Sequence, residues 1–143
     1  MRPVRLVVPF APGGATDIVA RVLAPGLSEV LGQQWVVDNR AGAAGNIAVE
    51  TVARAQPDGY TVLISNVSTS AINPIGFAAT LKFDAAKDLI GVALLASIPN
   101  LLASGAGFPP NGMRELVDYV KARPGQLNYS SPIGGYSHLD MLE

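Results

Sequence analysis

The sequence predicts an α/β fold with a largely parallel sheet, and three observations lead to this prediction. The 143-residue chain is 49% hydrophobic and only 15% charged, which is enough apolar material for a sizeable core and argues against disorder. Short β-branched runs alternate with longer segments of helical periodicity, which is the order of elements in α/β folds. Gly-rich and Ser-rich loops follow several of the strands, and ligands bind at such loops in these folds.

The first half of the chain contains three predicted strands and two predicted helices. The strands cover 4–10, 35–39 and 60–66, and the continuous apolar run of the first indicates a strand that is buried on both faces. The first helix covers 16–32 and the second covers 46–56. The first helix has an apolar stripe made of Ile18, Val19, Val22, Leu23, Leu27, Val30 and Leu31.

Two residues of the first helix have special roles. Gly32 is the expected helix stop. Pro25 lies inside the helix, where proline removes one hydrogen bond and clashes with the preceding turn at a cost of about 3 kcal/mol. We therefore expect a kink or break near Ala24.

The second half has weaker patterns. They predict a loop or short helix over 67–74, a strand around 91–97, a second short strand over 100–105, an amphipathic helix over 112–125, a strand end at 127–131 and a helix start within 136–143.

Three loops at predicted strand ends are the candidate ligand-binding segments. They cover 10–17, 65–73 and 130–138, are rich in Gly, Ser, Thr and Asn, and contain no Lys or Arg. Backbone N–H groups at a helix N-terminus carry partial positive charge and can hold an anion. The loops therefore suggest that neutral dipoles bind a carboxylate or phosphate, with Gly13 and Gly14 leaving room for it. The alternative for the first loop is a tight turn.

The sequence lacks the motifs of other kinds of binding or catalytic site. The first loop is neither G-x-G-x-x-G nor G-x-x-x-x-G-K-[ST], so no dinucleotide or P-loop site is predicted. The chain has no Cys and one His, and Asp140 and Glu143 alone beside His138 do not predict a metal site. No G-x-S-x-G elbow or nucleophile–base pair predicts an enzyme. A net charge of −1 without a basic stripe argues against nucleic acid as a partner. No cofactor is expected.

Several candidate residues also have a purely structural interpretation. Asp17 either caps the first helix or contacts the ligand directly. His138 fits a first-turn helix residue bonded to backbone, and Ser130 and Ser131 fit a solvated turn.

Four blocks of sequence carry a resemblance that covers essentially the whole chain. They are "RLVVPFAPGGATDIVARVLA", "GQQWVVDNRAGAAGNIAVETVARAQPDGYTVLI", "FDAAKDLIGVALLA" and "LNYSSPIGGYSHL". In this order they resemble the Bug-type solute receptors of tripartite tricarboxylate transporters.

The resemblance implies a periplasmic binding protein-like fold of the two-lobed, Venus-flytrap kind, without enzymatic activity. Such receptors capture small carboxylates, such as dicarboxylates, acidic amino acids or aromatic acids, and deliver them to a membrane permease. It also implies a periplasmic location, although no signal peptide is recognised in this chain.

The resemblance further implies which residues contact the ligand. The first loop of the first lobe supplies Phe10, Pro12, Gly13, Gly14, Ala15, Thr16 and Asp17, its second loop supplies Ser65, Asn66, Ser68 and Thr69, and the second-lobe loop supplies Ser130, Ser131, Gly134, Gly135, Ser137 and His138.

Family members of this kind are about twice as long as this chain. We therefore expect a receptor truncated to its N-terminal half, with residues 1–100 forming the first lobe and residues 101–143 the start of the second. Unpaired strand edges and bare apolar faces would then favour self-association, as a dimer. Two functions stay open: solute capture, and a truncated receptor without ligand binding that is an interaction module or a remnant.

Overall fold

The structure is a computed structural model, and it describes residues 2–131. In chain order its elements are the strand β1 (Val4–Val8), the helix α1 (Ala15–Leu31), the strand β2 (Trp35–Asn39), a 3-10 turn (Ala43–Gly45), the helix α2 (Asn46–Ala53), the strand β3 (Thr61–Leu63), a π-helical turn (Ser68–Ile72) and the helices α3 (Asn73–Gly76), α4 (Ala85–Asp88) and α5 (Met113–Lys121). The alternating order predicted for the first half is confirmed.

The three strands form one parallel sheet in the order β2-β1-β3. β1 is central, with Val4 beside Trp35 and Val8 beside Asn39 on one edge, and with Arg5 beside Thr61 on the other. Because all three strands run in the same direction, their carboxyl ends lie at one edge of the sheet. The loops that follow them are therefore brought together there.

The core is centred on β1, as its continuous apolar sequence predicts. Leu6 and Val8 form a buried cluster with Ala20 of α1 and Ile64, which directly follows β3. Both α1 and α2 contact β1, so the strand lies beneath helices. Full burial of each aliphatic side chain contributes roughly 1.5–3 kcal/mol. The burial of β1 therefore fixes the point from which the following loop starts.

Helix α1 is continuous through Pro25, so of the expected kink or break near Ala24 the break is wrong. Ala20 and Ala24 are buried, and Ser28, beyond the proline, is tied to the sheet because Trp35 N donates to its Oγ at 2.9 Å. Packing on both sides of Pro25 thus outweighs its local cost. As expected, the helix ends at Gly32, whose φ of 63° is left-handed.

The apolar stripe predicted for α1 is only partly buried. Small residues, Ala20 and Ala24, make the close approach to the sheet. Side chains from four positions of the predicted stripe are exposed, namely Ile18, Val22, Val30 and Leu31.

The strands predicted over 91–97, 100–105 and 127–131 are absent from the described part of the chain. Residues 90–107 are all exposed, with no helix or strand. A strand is stabilised by a neighbour that accepts its backbone hydrogen bonds, and the described sheet contains only β1, β2 and β3. The apolar composition of 91–97 reports strand propensity, not the presence of that neighbour. The helix predicted over 112–125 is confirmed as α5, whereas the helix start within 136–143 lies outside the described residues.

Candidate functional site

Three loops meet at the carboxyl edge of the sheet, and we call them loop 1 (residues 9–14), loop 2 (residues 40–45) and loop 3 (residues 64–67). Each follows one strand, and each leads to a helix or helical turn. In open parallel sheets this edge is the usual place for a ligand. The contacts that join the loops define the geometry of the candidate site.

Asp17 joins loop 1 to the end of β2. Its Oδ2 accepts the backbone N–H of Gly13 and the Nε–H of Arg21, each at 2.9 Å. Its Oδ1 accepts Asn39 Nδ2 at 2.9 Å, and the same Nδ2 also donates to the Phe10 carbonyl at 3.0 Å. The Asp17 side chain is only 3% exposed. A buried carboxylate with three donors is therefore built into the base of loop 1.

These donors also explain the ionisation of Asp17. The hydrogen bond from Arg21 lowers the pKa of Asp17 most, and those from Gly13 and Asn39 lower it further, to about 2. In return, Asp17 raises the pKa of Arg21. At pH 7 both Asp17 and Arg21 are ionised, and their charges cancel. Asp17 therefore does not present an uncompensated negative charge to the edge of the sheet.

The N-terminus of α1 remains open at this edge. Its N-cap residue is Gly14, and among the described residues no side chain caps the helix. The first-turn N–H groups, including those of Ala15 and Thr16, have no acceptor within the helix. Asp17 does not cap the helix either, since its carboxylate accepts the N–H of Gly13, which precedes the N-cap. These first-turn donors are the groups that could bind an anion.

Gly45 joins loop 2 to loop 1 and to the π-helical turn that follows loop 3. It has a φ of +91°, and a Cβ at this position would lie 2.6 Å from Thr69 Cγ2 and 3.1 Å from Pro9 Cβ. No side chain fits in this contact. Before it, Ala43 and Ala44 also have positive φ, at 46° and 55°, which is strained for residues other than glycine. Loop 2 thus has a fixed, unusual backbone.

Loop 3 is held by side chains of the loop and of the π-helical turn that follows it. Asn66 Oδ1 accepts the backbone N–H of Thr69 at 3.1 Å, and Thr69 Oγ1 accepts that of Asn66 at 3.2 Å. Thr69 is fully buried, and its hydroxyl also lies 3.0 Å from Ser65 Oγ. Asn66 and Thr69 therefore order the loop, whereas Ser65 is exposed.

The structure brings together two of the three predicted ligand loops. Gly45 lies against Pro9, which directly precedes the first predicted loop, and against Thr69 of the second, 65–73, so the predicted first-lobe residues lie at one edge. In the remaining predicted ligand loop, 130–138, Ser130 is exposed and Ser131 is half-buried. Four predicted residues lie outside the described residues, namely Gly134, Gly135, Ser137 and His138. Direct ligand contact stays a prediction for every predicted residue.

Sequence reasoning missed Asn39 and the whole of loop 2. The signal was present, because "NRAGAAGN" places two glycines between a strand and a helix at the same edge as loop 1. The sequence predicts a loop at 40–45 but no ligand-binding role for it.

Two kinds of feature are absent from residues 2–131. Within that range no group of three His, Cys, Asp or Glu side chains is placed to hold a metal ion. Nor does any helix there have the length and apolar character needed to cross a membrane.

Two proteins of Bordetella pertussis are similar in sequence to this chain. One, a UPF0065 protein, is 41% identical over 141 residues, which cover 98% of this chain and 43% of that protein. The other, the protein BugT, is 36% identical over 139 residues, covering 96% of this chain and 43% of that protein.

Three solved structures share the fold. Rpa4515 of R. palustris, solved with adipate, is 40% identical with a TM-score of 0.88, covering 99% of this chain and 47% of that one. MatC from Rhodopseudomonas palustris, with bound malate, is 38% identical with a TM-score of 0.74, covering 85% and 41%. The periplasmic binding protein BugD is 35% identical with a TM-score of 0.71, covering 99% and 48%.

The chain thus spans less than half the length of each of these proteins. Residues 19–143 match the model of the tripartite tricarboxylate transporter family receptor. The chain therefore belongs to this receptor family, and its α/β fold is that of periplasmic solute-binding receptors, which are not enzymes.

Proposed function

We propose that the protein captures a small carboxylate in the periplasm for delivery to a membrane permease of the tripartite tricarboxylate type. The proposed ligand is a dicarboxylate, an acidic amino acid or an aromatic acid. In this proposal residues 1–100 belong to the first lobe of a two-lobed receptor, and residues 101–143 begin the second.

The observation that carries the proposal is the open N-terminus of α1 at the carboxyl edge of the sheet. Gly14 is its N-cap and no described side chain caps it, so several N–H groups can converge on an oxygen anion. Relatives that share the fold were solved with adipate and with malate, both dicarboxylates. A carboxylate is the group that these N–H donors would bind.

A second candidate is a receptor that binds no solute and acts as an interaction module or is a remnant. The exposure of residues 90–107 favours it, because exposed apolar segments of this length mark interaction surfaces. Ile90, Val92 and Leu94 are each about nine-tenths exposed.

Calorimetric titration separates the two candidates. The 143-residue chain is titrated with adipate, malate, glutamate and benzoate, and with adipamide as a neutral control of the same length as adipate. Saturable heat with at least one carboxylate and none with adipamide supports solute capture. A chain that is folded by circular dichroism yet gives no heat with any acid would contradict solute capture and favour the second candidate.

A further inference from the structure

We propose that Asp17 and Asn39 are positioning residues: their hydrogen-bonded pair fixes loop 1 so that the N–H groups of Gly14, Ala15 and Thr16 face the ligand. This inference rests on the proposed function and deepens it. It assigns Asp17 to the loop rather than to the ligand, and it adds Asn39, which the sequence did not indicate.

The first argument is that the polar atoms of Asp17 are already used. Both carboxylate oxygens accept protein hydrogen bonds, from Gly13, Arg21 and Asn39, all at 2.9 Å. With the side chain 3% exposed, a ligand would have to displace these donors to reach it. Removing a charged acceptor from such donors is costly.

The second argument is that the bonds hold loop 1 at two points. Asp17 holds its second half through Gly13 N–H, and Asn39 Nδ2 holds its start through the Phe10 carbonyl. Asn39 is the last residue of β2 and pairs with Val8 of β1. The loop is thereby attached to the sheet on one side and to the first turn of α1 on the other.

The third argument is that the hydrogen bonds form only when residue 17 supplies the acceptor and residue 39 the donor, or the reverse. Asn39 Nδ2 donates to Asp17 Oδ1, while Asn39 Oδ1 accepts from Arg21 at 3.1 Å. Asp17→Asn alone places an amide donor against the Asn39 amide donor. Asn39→Asp alone places two carboxylates together. The double variant restores the donor–acceptor pair between positions 17 and 39 and keeps a carboxylate beside Arg21. It does not restore the bond to the Phe10 carbonyl, because an aspartate at position 39 has no N–H to donate.

The experiment measures adipate affinity and backbone order for Asp17→Asn, Asn39→Asp and the double variant. Affinity is measured by calorimetry well below each variant's unfolding temperature, so that all of the protein is folded. Backbone order is measured by 15N relaxation of the Gly13 and Gly14 amides without ligand. The control is Asp38→Asn, which breaks a 2.6 Å ion pair to Arg5 one residue before Asn39.

We expect each single variant to lower adipate affinity at least tenfold and to increase motion of the Gly13 and Gly14 amides. The double variant should recover part of the lost affinity and amide order, but not the parent's values, because the bond to the Phe10 carbonyl is still missing, and the control should change neither. Single variants that keep the parent's amide order overturn the inference, as does a double variant no better than the singles. If the parent chain binds no carboxylate, the proposed function fails, and the relaxation data still decide whether the pair orders loop 1.

Discussion

Asn73 Nδ2 donates to Asn46 Oδ1 at 2.8 Å, and this buried bond joins the start of α3 to the start of α2. The same Nδ2 donates to the Ala44 carbonyl at 2.9 Å, so one side chain holds the left-handed end of loop 2. Asn73 is fully buried. Together with the contacts of Gly45 and Asp17, it holds the loops at this edge of the sheet against one another.

Replacement of Gly45 by alanine should destabilise the protein strongly. The added Cβ meets Thr69 Cγ2 at 2.6 Å, and φ is +91°. The left-handed backbone costs about 1–2 kcal/mol, and the forced contact costs about 1–3 kcal/mol more. Urea unfolding of Gly45→Ala should therefore show a loss of about 2–5 kcal/mol.

The matched control for this contact is Gly59→Ala. Gly59 has a similar φ of +80°, but no atom lies within 4 Å of its added Cβ. Its loss should be limited to the backbone cost of about 1–2 kcal/mol. Equal losses for the two variants would show that Gly45 is needed for its backbone conformation alone.

The stabilising effect of Asp17 should depend on pH. Its folded pKa of about 2 lies below the ordinary 3.8, so the folded state favours the charged form and the contribution is fully present above about pH 4. It is lost as the pH falls from about 4 to 2. The parent should be more stable than Asp17→Asn at pH 7, and this difference in unfolding free energy should shrink over that range.

Urea titrations of both proteins at pH 7, 4, 3 and 2 measure this difference. Other carboxylates with lowered pKa, such as Asp38 and Asp58, titrate in both proteins and cancel in the comparison. A difference that stays constant down to pH 2 would contradict the assigned ionisation.

Gly14→Val should abolish carboxylate binding without unfolding the chain. Gly14 has an ordinary φ of −78°, and its added Cβ would have Ala11 O at 3.8 Å as its nearest neighbour, so the fold tolerates a side chain. The side chain would cover the N–H groups of the α1 first turn. We expect adipate affinity to fall more than tenfold while the circular dichroism spectrum is unchanged.

Gly112→Val is the matched control, because Gly112 is the uncapped N-cap glycine of α5 and has open space around it. It should bind adipate as the parent does. A Gly14→Val protein that retains the parent's affinity would exclude the N-terminus of α1 as the anion site.

The isolated chain should form a two-fold dimer through its exposed apolar segment, residues 90–102. Val92 and Leu94 are 89% and 92% exposed, and covering apolar surface gains about 25 cal/mol per Å². A closed two-fold assembly is the commonest way to cover such surface with a second copy. Light scattering after size exclusion should give twice the chain mass of 14.8 kDa.

The Val92→Lys, Leu94→Lys double variant should shift the mass to that of a monomer. Val30→Lys is its control, since Val30 is 82% exposed on α1 and lies away from the segment in sequence. A parent chain that is a monomer at micromolar concentration, with a cooperative melt, would contradict dimerisation through residues 90–102.

The sequence predicted the elements that are stabilised by local pattern and burial. It failed for elements whose formation depends on a packing partner elsewhere in the chain. β1 was predictable because its apolar run is continuous, and the end of α1 because Gly32 provides the left-handed stop. Residues 91–97 have the composition of a strand, but composition does not specify a neighbouring strand. Pro25 predicted a break, but it did not reveal that Ala20, Ala24 and Ser28 would hold the helix to the sheet.

The site was predictable at the level of loops and not at the level of atoms. The glycines at 13 and 14 indicated an open helix N-terminus, and the structure has no described side-chain cap there. Which N–H groups remain available depends on Asp17 reaching back to Gly13 and across to Asn39. The second of these contacts joins residues 22 positions apart, so no local pattern encodes it.

The central claim is that the backbone N–H groups at the start of α1 bind a carboxylate. The most direct test is an amide 1H–15N NMR titration of the 143-residue chain with adipate, repeated with adipamide. The amide resonances of Gly14, Ala15 and Thr16 should shift saturably with adipate and not with adipamide, while Gly13, whose N–H is held by Asp17, should shift less. No saturable shift at these residues, or equal shifts with both compounds, would contradict the claim.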